Sequence, residues 1–70
     1  MKYNIGDLLI IPFVAKIGVI IDIKHKKTYE IFWQWKDGRT HIIEESEKTI
    51  DLWFKEDGGK FGNKHIPVPK

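Results

Sequence analysis

Residues 6–35, GDLLIIPFVAKIGVIIDIKHKKTYEIFWQW, constrain the fold more than any other stretch of this chain. Apolar residues recur there with the period of two that side chains follow along an extended strand, and turn-forming residues break the run. The stretch reads as three consecutive antiparallel strands. The first is expected over 8–14, with both faces apolar, as for a strand buried on two sides or coiled round a barrel. Pro12 cannot donate to a ladder, so it is expected at an edge, a bulge or a strand end.

The second strand is expected over 16–24. Strict alternation puts Ile17, Val19, Ile21 and Ile23 on one face and Gly18, Ile20 and Asp22 on the other. Gly18 inside a strand signals a bulge or a close backbone approach, and a bulge there would flip the parity. The Lys24–Lys27 segment, LysHisLysLys, makes the next turn. A third strand over 29–36 then places Tyr29, Ile31, Trp33 and Trp35 on one face, opposite Glu30, Phe32 and Gln34.

Asp37-Gly38 is a two-residue hairpin signal, because a type I′ turn needs positive φ at both positions. That turn implies a fourth strand over 39–44 in a definite register. Lys36 would face Arg39, Trp35 Thr40, Gln34 His41, Trp33 Ile42 and Phe32 Ile43. Residues 46–57 read best as a helix, with Ser46 as N-cap, Glu47 in the first turn and Gly58 at the end. Ile50, Trp53 and Phe54 would form its buried stripe, with Leu52 outside. The strand alternative puts Ile50, Leu52 and Phe54 on one face; capping at both ends favours the helix. Residues 58–63 read as a loop, and 64–68 as a closing strand confined to an edge by Pro67 and Pro69.

Size and composition narrow the functional classes. Seventy residues make one small domain, which buries only about 60% of the surface its unfolded chain exposes. Without cysteine there are no disulfides, thiolate metal sites or thiol nucleophiles, so stability must come from apolar packing or a partner. A formal charge of +2 is mild for a nucleic-acid binder. The basic residues cluster at 24–27 and again late in the chain, against an acidic group at Glu44, Glu45 and Glu47. The first residues lack the apolar run of a secretory leader, and no apolar stretch is long enough to span a bilayer. A cytoplasmic protein without a membrane is the expectation.

The element order, and several motifs, resemble a small SH3-like barrel. GlyAspLeuLeu at 6–9 is similar to the glycine–aspartate opening of such barrels. Gly18-x-Ile20-x-x-Ile23 followed by Tyr29-x-Ile31-x-Trp33 resembles the KOW-type pattern of a glycine, spaced aliphatics and an aromatic strand. The tail, SerGluLysThrIleAspLeuTrpPheLysGluAspGly and then LysHisIleProVal, resembles short phage-encoded SH3-like proteins. These motifs cover about 60 of the 70 positions. The resemblance implies a mainly β fold: a five-stranded antiparallel barrel with one short helix before the last strand. It also implies RNA or protein partners, as KOW modules have, and host cytoplasm or a virion as the location of a phage-encoded chain.

No cluster of residues reads as a catalytic or metal site. His25, His41 and His65 are far apart and none has a neighbour at ligand spacing. The serine and the acidic residues near 44–47 are explained by a helix start, and no cofactor motif is present. The aromatic residues are the informative class, nine in 70. Tyr29, Phe32 and Trp33 are expected inside. Three tryptophans exceed what so small a barrel encloses, so Trp35 and Trp53 are the candidate anchors of a protein partner. The functional expectation is therefore a non-enzymatic interaction module docking on a protein or a larger assembly. The alternative is a KOW-type nucleic-acid binder using Lys24, Lys26, Lys27 and Arg39 on phosphates.

Overall fold

A computed structural model of the chain describes residues 2–54 and 62–69. Five antiparallel strands form one sheet, in the order β4-β3-β2-β1-β5. The strands are β1 (Leu8–Ile11), β2 (Lys16–His25), β3 (Thr28–Trp35), β4 (Thr40–Ser46) and β5 (Lys64–Ile66), and the helix α1 (Glu47–Trp53) precedes β5. The mainly β architecture with one short helix before the last strand is thus the one expected. The ladder among the described residues ends at β4 on one side and β5 on the other.

The first strand is shorter than expected. Pro12 ends it, and Pro12–Val14 form a 3-10 turn closed by an Ala15 N–H bond to the Pro12 carbonyl at 3.0 Å. The missing N–H of Pro12 costs nothing at a helical first position. Ala15 then adopts a left-handed conformation (φ 53°) that turns the chain back into β2.

In β2 the inner residues are Gly18 and Ile20, both buried, whereas Ile17 and Ile21 are exposed. Gly18 is a close approach and not a bulge. A Cβ there would lie 2.6 Å from Trp33 Cε3. The register shift falls one turn later, between Ile20 and Asp22. Ile20 pairs with Ile31 and Ile23 with Tyr29, so the extra residue restores Ile23 to the inner face. The expected grouping of Ile17, Val19 and Ile21 with Ile23 is therefore overturned by a bulge at Ile21.

The β3–β4 hairpin differs from expectation by one residue. Trp33 faces His41, Phe32 faces Ile42 and Ile31 faces Ile43. The loop has three residues, Lys36-Asp37-Gly38. It is closed by Gly38 N–H to the Trp35 carbonyl (3.0 Å) and Trp35 N–H to the Arg39 carbonyl (2.9 Å). Gly38 takes φ 95° as the third loop residue, which it does without a Cβ penalty. The Asp37 carboxylate accepts from both the backbone N–H and Nε of Arg39, supporting the three-residue form. A shift of one turns β4 over, bringing Ile43 inward and Ile42 outward.

The helix begins as expected. Ser46 Oγ accepts from Thr49 N–H at 3.2 Å, and the Lys27 carbonyl accepts from Glu47 N–H at 2.7 Å. Ile50 is buried, Trp53 and Phe54 pack on the core, and Leu52 is 57% exposed. Asn63 ties the far end by donating from Nδ2 to the Trp53 carbonyl at 2.9 Å. The helix stops at Trp53, with Phe54 as its C-cap (φ −126°), so it falls short of the expected end at Gly58; most of the 58–63 loop lies outside the described residues. The core comprises Tyr3, Leu9, Ile20, Tyr29, Ile31, Trp33 and Ile50. Phe32 points to the opposite face of β3, where it is half-buried, so its expected place inside is corrected.

Candidate partner-binding grooves around Lys16

Two open, mainly apolar grooves meet at Lys16. The larger, about 500 Å³, is lined by Ile10, Ala15, Ile17, Gln34, Trp35 and Lys36 together with Lys16. The smaller, about 320 Å³, is lined by Ile11, Phe13, Val14, Leu52, Trp53 and Asn63, again with Lys16. The 3-10 turn supplies one rim of the second groove, and α1 the other. Trp35 and Trp53, the two rings singled out in the sequence, are both half-buried and each lines one groove.

Lys16 opens β2 opposite Trp35 and Ile11, on the inner face. Its Nζ lies 4.3 Å from the Trp33 ring centroid and 5.1 Å from that of Trp35. Such cation–π contacts contribute about 0.5–2 kcal/mol each, more when desolvated. Burial pushes the Lys16 ammonium below its ordinary range, and Glu45 pulls it partly back. Among the described residues no carboxylate lies within 4 Å of Lys16 Nζ. Trp33 stacks edge-on against Trp53 at 6.3 Å, so one buried ring carries both the ammonium and the wall of the smaller groove.

The four residues of the nucleic-acid alternative are not brought together. Lys24, Lys26 and Lys27 belong to the β2–β3 end, Arg39 to the β3–β4 end, and the eight residues of β3 separate them. At about 3.3 Å per residue that is over 20 Å. Lys24 is held by Asp22 at 3.3 Å and Glu30 at 4.0 Å, and Arg39 by Asp37 at 2.8 Å. Lys26 and Lys27 remain exposed at the tip, Lys27 with φ 64°.

A second polar cluster escaped the sequence reading. Asp7 is fully buried; its carboxylate accepts from Asn4 N–H (3.0 Å) and Val68 N–H (3.0 Å) and bonds His65 Nε2 (2.7 Å). Desolvation would raise the Asp7 pKa, but His65 and the two backbone donors outweigh it and hold the carboxyl below its ordinary value. The Tyr3 ring packs edge-on against His65, while Tyr3 Oη donates to Asp51 at 2.6 Å and Tyr29 Oη to Glu47 at 2.7 Å. These bonds fasten the first residues, the last strand and α1 to one another. In the sequence the glycine–aspartate dipeptide carried only its likeness to a barrel opening. Its pairing with a histidine 58 positions later had no local signal. Among the described residues no three His, Asp or Glu side chains converge as metal ligands. Among the described residues no helix is long and apolar enough to cross a membrane. No protein-family model, curated protein or solved structure matches the chain.

Proposed function

We propose that this chain is a non-enzymatic docking module of the SH3-like kind, which grips a protein segment in the two grooves beside Lys16. The segment presents apolar side chains to Trp35 and Trp53 and an acidic group to Lys16 between them. The observation that carries this reading is the desolvated ammonium of Lys16, set between two apolar grooves with no carboxylate partner within 4 Å among the described residues. Burial takes water from this ammonium, and Glu45, more than 4 Å away, offsets the loss only in part; a carboxylate of the partner would complete it. Half-buried tryptophans in a groove, next to a charge, are the composition of interface anchors.

The test is a titration with short peptides that hold two leucine or phenylalanine residues around a central glutamate, against the same peptides with lysine at the centre. Binding by the glutamate peptides, with amide shifts at residues 15–17, 35–36 and 52–53, is the expected result. Lys16→Met should abolish the preference for glutamate while leaving the fold intact. Equal binding of both peptide sets, or shifts elsewhere, would sink the reading. A nucleic-acid role would rest on the exposed Lys26–Lys27 tip alone. A gel shift near ~50 mM salt, where phosphate contacts are least screened, tests that directly.

A further inference from the structure

One row of the sheet's outer face is apolar across all five strands. Register places Ile66 beside Leu8, Leu8 beside Val19, Val19 beside Phe32 and Phe32 beside Ile42, so one continuous row crosses the sheet. Ile10 and Ile17 widen it on β1 and β2. Ile17, Ile42 and Ile66 are 51%, 53% and 44% exposed. Among the described residues ten large hydrophobic side chains are exposed, and four of them, Leu8, Ile17, Ile42 and Ile66, lie on this face.

We infer that this face is the two-fold interface of a homodimer, in which the sheet of one copy packs on the sheet of a second copy. Three observations select a second copy as the occupant. First, Leu8, Ile17, Ile42 and Ile66, 36%, 51%, 53% and 44% exposed, gather on this one face as the apolar centre that a standard homodimer patch has. Second, no charged side chain interrupts the row; the charges lie to its sides.

Third, the β3 and β4 flanks complement themselves, whereas on β2 the same two-fold symmetry sets Ile17 at the level of Asp22. A two-fold axis running along the row exchanges the residues two positions to either side of it. On β3 that sets Gln34 of one copy over Glu30 of the other, about Phe32; on β4 it sets Thr40 over Glu44, about Ile42. An amide and a hydroxyl donor each meet a carboxylate, twice over by symmetry, at the rim of an apolar centre. Aligned sheet packing at about 10 Å separation allows this arrangement. The interface takes in Ile10, Ile17 and Gln34, which also line the larger groove, so a second copy would cover part of that groove and leave the smaller one beside Trp53 free.

Sedimentation equilibrium of the whole chain from about 1 to 300 µM tests the inference, because interfaces of this size dissociate at micromolar concentration or below. The expected result is a dimer for the wild type and for Leu52→Lys, on the exposed side of α1. Ile42→Lys and Ile66→Lys, both on the row itself, should weaken association at least 100-fold with an unchanged circular dichroism spectrum. An isotope-filtered NOE experiment on mixed labelled and unlabelled wild type needs no variant to fold. It should show contacts from the Phe32 ring to the Ile42 methyls of the other copy. A wild type that stays monomeric at 300 µM, a dimer that survives both outer-face lysines, or intermolecular NOEs confined to other surfaces would overturn the inference.

Discussion

Gly18→Ala should cost this protein a large part of its stability, and the structure gives the size. The added Cβ would sit 2.6 Å from Trp33 Cε3, 2.7 Å from Cζ3 and 2.9 Å from Ile31 Cγ2. Carbon atoms rest at about 3.5–4.0 Å, so three contacts are each roughly 1 Å too short. Trp33 and Ile31 are fully buried, and Trp33 is backed by the Trp53 ring at 6.3 Å. Neither has an open side to move into. Overpacking of this kind costs about 1–3 kcal/mol, with the upper end expected for a pinned indole. Loss of glycine entropy in the unfolded chain returns only about 0.4–1 kcal/mol. The net loss is about 2 kcal/mol, out of the ~4–10 kcal/mol expected for 70 residues. Urea unfolding followed by tryptophan fluorescence should show the midpoint fall at constant slope, with Tm lower by roughly 8–16 °C. Trp33→Phe removes Cε3 and Cζ3 from that position, so the double variant should recover about 1 kcal/mol relative to additivity. A Tm within ~2 °C of wild type, or strict additivity in the cycle, would refute the close-approach argument; ~4–8 °C per kcal/mol sets that resolution.

Three further outcomes are expected. The Asp7 carboxyl has a folded pKa below its ordinary 3.8, so its stabilisation is present above that value and is lost as pH falls through the folded pKa. Urea midpoints measured from neutral pH downward should drop in acid for the wild type, and Asp7→Asn should be about 2–4 kcal/mol less stable at neutral pH with a flatter acid limb. Tyr29 is pushed up to about 12, by burial first and then by its bond to Glu47, and Tyr3 is raised further by burial and Asp51. A raised pKa stabilises below the unfolded value near 10 and is lost on rising through the folded one, so tyrosinate absorbance should appear together with unfolding and not before it. Ala15, at φ 53°, should tolerate glycine with a gain of up to about 0.5–1 kcal/mol, whereas Ala15→Val should lose at least ~1 kcal/mol; thermal melts rank the three, and a valine variant as stable as wild type would contradict the left-handed turn.

What could be read in the residues followed from strong local rules. The period-two run on β3, Tyr29-x-Ile31-x-Trp33-x-Trp35, marked its inner face because Glu30 and Gln34 occupy alternate positions, with Phe32 between them as the exception. The Ser46 cap and the spacing of Ile50, Trp53 and Phe54 marked the helix, since capping and the buried stripe agree. Pro12 was expected at an edge, a bulge or a strand end, and it proves to end the strand, but the 3-10 turn it begins depends on Ala15 accepting a left-handed φ, which no alanine advertises. The bulge at Ile21 was invisible for a plain reason. Val19, Ile20, Ile21 and Ile23 are all good strand residues, so no side chain objects to a slip in parity.

The same degeneracy hid the surfaces on which this protein's function is argued. Trp35 and Trp53 stood out because three tryptophans exceed a small core. Lys16, in contrast, looks like any lysine at the mouth of a strand, and only its pairing with Trp35 turns the ammonium inward over two indoles. The outer row depends on a choice the sequence pattern could not make. Ile42 and Ile43 are chemically alike, so a two-residue or a three-residue turn at Asp37-Gly38 exchanges which isoleucine is buried without altering the pattern. Leu8-Leu9 and Ile10-Ile11 repeat the ambiguity on β1. Leu9 is buried, and Ile11 and Ile43 pack on the core, while Leu8, Ile10 and Ile42 take the outer side. Doublets make the inner register forgiving, and they also lay down a second apolar face. Replacing one twin by a polar residue would both pin the register and remove the outer surface. Ile42→Thr is therefore expected to keep the fold, since threonine suits a strand, while weakening association; if it unfolds the chain instead, Ile42 belongs to the interior and the outer row does not exist.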